Sequence, residues 1–301
     1  MRPTAPFDGL ILIDKPTDLT SLDVIRVLRR MTKQKSFGHT GTLDPLATGM
    51  LPILCGQYTR YAQYIISQNK CYTAEIQLGT QTDTDDKDGN ITDKSEHHVT
   101  QKDIEIALKD FIGNITQTPP VASAIRVQGK RLYEYHRRGI KPPYIPSRSV
   151  HVSAIKLLNF DDDNQVIRCK ITCSSGTYIR SIARDLGASL NTFGHITALR
   201  RDWVEPFQNH PMIQLDHIQS LGEFSQYCTP LKDAFRDNTV TIDKEQALLL
   251  AQGKSTPMDH PDAETIALLY HDIFFGLAKI NNKVIKTRRL LKNPIDFIIN
   301  Q

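Results

Sequence analysis

The run GHTGTLDPLATG at 38–49 constrains this chain more than any other stretch. It holds one carboxylate, Asp44, among glycines, hydroxyl residues, small apolar residues and His39. Gly38, Gly41 and Gly49 allow tight turns and positive φ, so the backbone can approach a ligand closely. Pro45 biases Asp44 away from helix, towards an extended or turn conformation. An acid displayed singly on a constrained loop, with no second acid in the run to share a proton or a metal, suits a nucleophile or a lone general base. The same residues also suit an Asp that caps a helix beginning near Pro45, because Asp is a good N-cap and Pro a good first helical residue. The local pattern leaves both readings open.

At 301 residues, 40% hydrophobic and 23% charged, the chain has the composition of a soluble globular protein large enough for two domains. No run approaches the roughly 18–20 apolar residues of a membrane helix, and the amino terminus lacks the pattern of a signal peptide. Cys55, Cys71, Cys169, Cys173 and Cys228 form an odd, scattered set, as expected of reduced thiols in a cytoplasmic protein. Cys169 and Cys173 are expected to share the buried face of a strand, and no zinc-ligand partners accompany them. The net charge of +4 is unevenly spread. Arg126, Lys130, Arg131, Arg137, Arg138, Lys141 and Arg148 face Glu134 alone, with Tyr133, Tyr135 and Tyr144 interleaved. Basic groups beside aromatic rings suit a nucleic acid, although a solvated charged loop reads the same way. A second basic cluster, Lys279, Lys283, Lys286, Arg288, Arg289 and Lys292, is opposed by no acid within its span.

Periodicity gives a coarse map. GLILIDKP at 9–16 reads as a buried strand, and Thr20 or Ser21 caps a helix through about Met31 with Leu22, Ile25 and Leu28 on one face. Tyr72, Ala74, Ile76 and Leu78 alternate with polar residues in a half-buried strand. Ile104, Ala107, Leu108 and Phe111 mark a helix ending near Gly113. Residues 118–148 read as an irregular basic insertion. Strands at about 150–158 and 166–173 precede a helix from Tyr178 to Leu190 that buries Ile179, Ile182, Ala183 and Leu186. A helix from Lys244 to Gln252 and short alternating segments read as a small β-rich tail. DTDDKDG at 83–89 resembles a calcium loop, but Thr84 and Ser95 stand where that loop needs Asp and Glu, so it reads as a polar turn. A divalent-metal transferase would want a phosphate-cradling glycine loop beside these acids, and none is present.

GHTGTLDPLATG is similar to the signature of the TruB type of pseudouridine synthases, which modify the T-loop of tRNA. Three further stretches follow in that family's order: IDKPTDLTSLDV at 13–24, KCYTAEIQLGTQTDTDDKDG at 70–89 and CSSGTYIRSIARDLG at 173–187. The similarity continues through HITALRR at 195–201 and covers nearly all of residues 8–205. The last hundred residues match far more weakly.

The resemblance implies an α+β pseudouridine synthase fold with a mixed, largely antiparallel sheet over residues 1–235, followed by a PUA-like RNA-binding domain over 236–301. It implies isomerisation of uridine 55 without cofactor or metal, by breaking the C–N glycosidic bond, rotating the detached uracil and rejoining it through C5. The target base must first be extruded from the folded RNA. Asp44 matches the family's catalytic aspartate. Whether it attacks uracil C6 or the ribose, or acts through a glycal intermediate, stays open. Arg180 matches the arginine that pairs with this aspartate, since an opposite charge within about 4–6 Å favours and orients a carboxylate. Alone, an Arg on a helix reads as a surface charge. Tyr72 matches the tyrosine that packs on the target base and is the candidate for removing the C5 proton; alone, it reads as a core aromatic. His39 matches the histidine that helps extrude the base, and Leu199 the apolar pocket wall. Lys15 and Arg60 match basic positions near substrate phosphate or a structural carboxylate. VASAIRVQGKRLYEYHRRG at 121–139 resembles the family's RNA-gripping insertion, which makes Arg126, Lys130, Arg137 and Arg138 candidate RNA contacts. The TDT element belongs to the family pattern, so Asp83 and Asp85 are expected to cap or orient neighbouring strands.

The chain departs from the family at Asp18 in place of glycine, Ser36 in place of a basic residue, Ala122 in place of a larger one and His136 in place of a small one. Thr287 stands where related RNA-binding tails carry proline. The implied partner is tRNA, through its T-loop and acceptor arm, with no membrane and no second chain required, so a monomer is expected. Two rivals remain: a tRNA-binding or tRNA-folding protein whose catalysis is dispensable, and a pseudouridine synthase that acts on another RNA.

Overall fold

The computed structural model describes residues 7–65, 69–218, 220–236 and 238–299; residues 1–6, where the signal-peptide reading began, lie outside them. The first half of the chain forms β1 (Gly9–Lys15), α1 (Ser21–Thr32), β2 (Phe37–His39), β3 (Thr48–Cys55), α2 (Ala62–Ile65), β4 (Lys70–Leu78), β5 (Thr80–Thr82), β6 (Ile91–Lys94), α3 (Gln101–Ala107) and β7 (Gly113–Gln117). Next come β8 (Arg126–Val127), β9 (Lys130–Arg131), α4 (Leu132–Arg137), β10 (Arg148–Asp161), β11 (Val166–Cys173), α5 (Ile179–Ser189), β12 (Gly194–Val204), β13 (Ile213–Gln214) and α6 (Leu221–Gln226). The tail holds β14 (Thr239–Thr241), α7 (Lys244–Ala251), β15 (Thr256–Pro257), β16 (Ala263–Tyr270), β17 (Ile273–Asn281), β18 (Val284–Leu290) and α8 (Pro294–Ile299).

The main sheet runs β13-β1-β3-β12-β4-β11-β10-β7, with β2 paired to β3. Only β1–β13 and β3–β12 are parallel, so the sheet is mixed and largely antiparallel. Strand side chains alternate between faces, and the two faces bury different partners. Ile11, Ile13, Ala74, Ile76, Ile167 and Ile171 pack with Val24 and Leu28 of α1 and with Ile182 and Leu186 of α5. Leu10, Leu12, Met50 and Leu54 pack instead with Tyr61 and Phe207 and with Ala267, Phe274 and Leu277 of the tail. Phe274 meets Tyr61 edge-on at 5.0 Å and stacks on Phe235 at 5.6 Å, a strong apolar join between the two parts. The tail's five strands run β14-β16-β17-β18-β15 around a core of their own that includes Leu250, Phe275 and Ile298.

The start of α1 is fixed by a reciprocal cap: Thr20 accepts from the Asp23 N–H while Asp23 accepts from the Thr20 N–H. Its buried face is Val24, Ile25 and Leu28, whereas Leu22 is 55% exposed, which corrects the expected stripe. Residues 118–148 hold more order than expected, namely the β8–β9 hairpin and α4. Cys169 and Cys173 are both buried and free, as expected of one face of β11. The second basic cluster is less bare than its span implies. Glu264 pairs with Lys279 and Arg288, and Asp259 with Lys283, from the neighbouring strand and loop.

Two glycines of the 38–49 run need their freedom. Gly41 has φ +129° and Gly49 φ +97°, whereas Gly38 sits in β2 without a positive φ. A Cβ at Gly49 would lie 2.2 Å from the carbonyl oxygen of Arg201 on the adjoining strand. Gly113 shares the strained φ, at +99°, but has open space around it. Gly49→Ala is therefore expected to lose roughly 2–4 kcal/mol of stability, and Gly113→Ala only about 1, in paired denaturant-unfolding curves.

Candidate active site

The loop from Thr40 to Ala47 is pinned from both ends and from below. Thr40 N–H donates to Pro52 O, and Ala47 N–H to Asp44 O, so Asp44 and Pro45 form a turn. No helix begins there; the residues return directly into β3, which removes the helix-capping reading of Asp44. Ser21, at the start of α1, donates to Leu43 O and accepts from Leu43 N–H. Asp18 N–H donates to Pro45 O; Asp18 has φ +65°, the left-handed turn that the family's glycine would adopt. These bonds hold the Asp44 carboxylate on a rigid turn with 35% of its side chain exposed.

Arg180 meets that carboxylate from α5. Its Nη2 lies 2.9 Å from Asp44 Oδ2 and its Nη1 3.1 Å from Asp86 Oδ2. Nη1 also donates to Thr84 O and Nη2 to Ala122 O. The guanidinium is only 4% exposed, so Arg180 is not a surface charge. The helix carrying it is anchored beside the insertion: Gln117 bonds both the N–H and the carbonyl of Tyr178, and Ser181 donates to Thr118 O. Only the Ala122 carbonyl is used here, so the family's larger side chain is not needed for this contact.

The acids of DTDDKDG form this scaffold. Asp86 accepts from the Thr84 hydroxyl and the Asp88 N–H, and Asp85 pairs with Arg184 at 2.9 Å. Burial pushes both carboxyls upward, opposed for Asp85 by Arg184 and for Asp86 by Thr84 and Arg180. Asp83 accepts from Asn90 and lies 3.5 Å from His136 of α4, tying the insertion to this turn. Asp83 and Asp85 thus orient neighbouring segments as expected. Asp86 is a residue that sequence reasoning missed.

Tyr72 on β4 lies in register with Arg201 on β12, and both side chains are buried. Burial raises the Tyr72 phenol, Arg201 opposes that, and the Asp44 charge reinforces it, which puts Asp44 and Tyr72 in one electrostatic neighbourhood. Leu199 is buried on the same face of β12, opposite Ala74. His39 closes β2, with Nδ1 accepting from Gly41 N–H at 3.4 Å. Burial and Arg201 lower its pKa, which favours the uncharged ring. The structure thus gathers Asp44, Arg180, Tyr72, Leu199 and His39 from four separate stretches of chain.

Lys15 does not join them as a phosphate contact. It is fully buried, and its Nζ donates to Pro16 O, Leu19 O and Pro45 O. It fastens the Asp44 turn to β1. Arg60 stands exposed on the turn Gly56–Tyr61, whose Tyr61 packs on the tail. Arg126, Lys130, Arg137 and Arg138 are exposed on the insertion, and Arg137 and Arg131 flank the Tyr133 ring at 5.3 and 5.8 Å. A cavity of about 560 Å³ lies elsewhere, beside α1 and β13, where Asp14 and Arg200 already close on each other at 2.8 Å. Among the described residues, no cluster of His, Cys, Asp and Glu could hold a metal ion. Nor, among those residues, is any helix long and apolar enough to cross a membrane.

The pattern of the TruB family pseudouridylate synthase N-terminal domain matches residues 29–179, and that of the tRNA pseudouridylate synthase B C-terminal domain matches 180–236. The chain belongs to the TruB family. Two relatives named tRNA pseudouridine synthase B illustrate the match. The one from Xanthomonas axonopodis pv. citri (strain 306) is 43% identical over 219 residues, covering 72% of this chain and 70% of the relative. The one from Vibrio vulnificus (strain YJ016) is 36% identical over 277 residues, covering 92% and 84%. The fold is shared with the chain in an H/ACA RNP bound to a substrate RNA containing 2'-deoxyuridine. That match has a TM-score of 0.73 at 19% identity and covers 95% of this chain and 86% of that one. A Cbf5-Nop10-Gar1 complex gives 0.72 at 22%, covering 94% and 84%. TruB membership supports pseudouridine synthesis as the activity of this chain.

Burial lowers the Lys15 ammonium from its ordinary 10.5 to about 8. Between those values the unfolded chain binds the proton that the folded chain has lost, so this group adds stability as pH rises from about 8 to 10.5. Lys15→Met should lose roughly 2–4 kcal/mol at pH 7 through its stranded carbonyls. Urea unfolding should show the gap to the parent widening over that pH window.

Proposed function

We propose that this TruB family member converts uridine 55 in the T-loop of tRNA to pseudouridine, with Asp44 as the reacting carboxylate. The relatives' names supply the tRNA substrate, and the 2.9 Å contact between the buried Arg180 and the partly exposed Asp44 carries the assignment. Arg180 fixes one oxygen of that carboxylate while the exposed side stays open to a nucleotide. The reaction is an isomerisation: the N1–C1′ bond breaks, a C5–C1′ bond forms, C5 loses a proton and N1 gains one. Asp44 labilises the glycosidic bond, either by adding to the uridine or by taking a ribose proton to a glycal. Tyr72, with Leu199 beside it, receives the detached uracil and takes the C5 proton. A neutral His39 is suited to occupy the space that the extruded base leaves, since an uncharged ring costs little to bury between stacked bases.

The insertion and the tail supply grip. Exposed guanidinium and ammonium groups of the insertion neutralise phosphates, and Tyr133 between its two arginines offers a stacking face. Residues 1–235 then form the catalytic domain and 236–301 a PUA-like domain that contacts the acceptor arm, within a monomer.

Asp44→Asn should bind an unmodified tRNA transcript with parent affinity while pseudouridine formation falls at least roughly 10³-fold in single-turnover assays. Turnover at the parent rate would remove Asp44 from the chemistry. Replacing Arg137 and Arg138 by Ala should weaken tRNA binding and lower the slope of log K against log salt by about 1–2, read by filter binding across a salt series.

A further inference from the structure

Arg201 is 1% exposed, and among the described residues no carboxylate lies within ion-pair distance of it. Its hydrogen-bond partners are two carbonyls, Met50 O at 2.7 Å from Nε and Gly41 O at 3.2 Å from Nη2. A buried guanidinium ordinarily faces an anion, because carbonyl dipoles alone recover little of its lost hydration. The acidic group set directly opposite it on the adjoining strand is the buried phenol of Tyr72. This geometry is built in. Gly49 leaves room for the Arg201 backbone, and Gly41, the other glycine of the signature with positive φ, offers its carbonyl to the guanidinium.

We propose that Arg201 is a positioning residue for Tyr72: set across the strand pair from the phenol, it balances the negative charge that the phenol oxygen carries when it takes the C5 proton of the rejoined uracil. The inference rests on the reading of Tyr72 as the group that removes that proton. In the step, the phenol has already given its own proton to solvent. The phenolate oxygen then accepts the proton from C5, and the electron pair of the C–H bond restores the C5=C6 double bond. Tyr72 returns to phenol and N1 is protonated from solvent.

The charged and titratable neighbours of Tyr72 are few. Asp44 on its loop opposes ionisation of the phenol, and Arg201 on β12 favours it. Cys173 on β11 is buried with its thiol pushed up to about 11, so it is neutral and adds no anion at neutral pH. Lys70, two residues before Tyr72 on β4, is buried next to Arg201 and lowered to about 8. Arg201 is therefore the permanent cation set opposite the phenol. Removing it raises the phenol further; burial already holds the parent phenol above its ordinary 10, so both phenols stay largely protonated from pH 6 to 9 and the loss of rate should be the same across that range.

The test compares the parent, Arg201→Gln, Arg201→Lys and Tyr72→Phe. Each is first checked by thermal unfolding and tRNA binding, then assayed in single turnover from pH 6 to 9. The substrates are tRNA transcripts carrying ordinary or 5-deuterated uridine. Arg201→Gln is expected to be roughly 10- to 1000-fold slower at pH 7, the span that one to three pKa units of lost charge stabilisation give. That deficit should hold from pH 6 to 9, a C5 deuterium isotope effect should appear or grow, Arg201→Lys should lie between the two, and a fluorinated, more acidic tyrosine at position 72 should recover part of the Arg201→Gln rate. Where Arg201→Gln does not fold, Arg201→Lys carries the same test, and a fluorinated, more acidic tyrosine at position 72 should restore its neutral-pH rate. A deficit without an isotope effect and without recovery by the fluorinated tyrosine would make Arg201 a purely structural clamp and overturn the inference. A parent-like Arg201→Gln beside an inactive Tyr72→Phe would overturn it while leaving the Tyr72 reading intact. A Tyr72→Phe at parent rate would overturn both.

Discussion

The buried guanidinium of Arg180 is the point on which the rest of the site depends. Three segments that are distant in sequence meet on its nitrogens: the Asp44 turn, the turn holding Thr84 and Asp86, and the root of the basic insertion at Ala122. A lone buried cation would carry a desolvation penalty of several kcal/mol, so it persists only where anions and carbonyls surround it. Here the surrounding groups are also the functional ones. The contact that makes burial of Arg180 tolerable therefore also orients the reacting carboxylate and ties it to the element expected to hold RNA.

The same economy recurs around the loop. Lys15 gives all three of its donors to carbonyls and so braces the Asp44 turn from beneath. Arg201 braces Gly41 from the sheet side while standing opposite Tyr72 on the adjoining strand. Three buried cations thus brace the 41–45 loop, each entering from a different element, and of the three Arg180 pairs with the partly exposed Asp44 carboxylate. A site whose substrate brings a phosphodiester backbone and whose chemistry develops charge on a uracil gains from such a preorganised field, because the charges need not reorganise during the reaction.

Much of this was legible in the sequence, and the parts that were not share a cause. The strands at 9–15 and 70–78 and the helix at 179–189 follow from apolar periodicity, which reports one residue's relation to its near neighbours. Asp44 stood out locally, but periodicity could not separate a reacting acid from a helix cap; the turn geometry does. Asp86 was hidden because its partner Arg180 lies far along the chain and because its own run imitates a broken calcium loop. Lys15 and Arg201 were misjudged or passed over for a related reason: a basic residue in sequence carries no mark of whether it is solvated or buried on carbonyls. The tail cluster misled in the opposite direction, since Glu264 and Asp259 lie outside its span yet pair with it across strands.

The most direct measurement is a nucleotide-resolution map of pseudouridine in an unmodified tRNA transcript incubated with the purified protein, read as carbodiimide-dependent primer-extension stops. The account predicts one new stop, at position 55. No stop there, with tight binding to the tRNA retained, would contradict it and leave a binding protein; a single stop elsewhere would keep the chemistry and contradict the substrate.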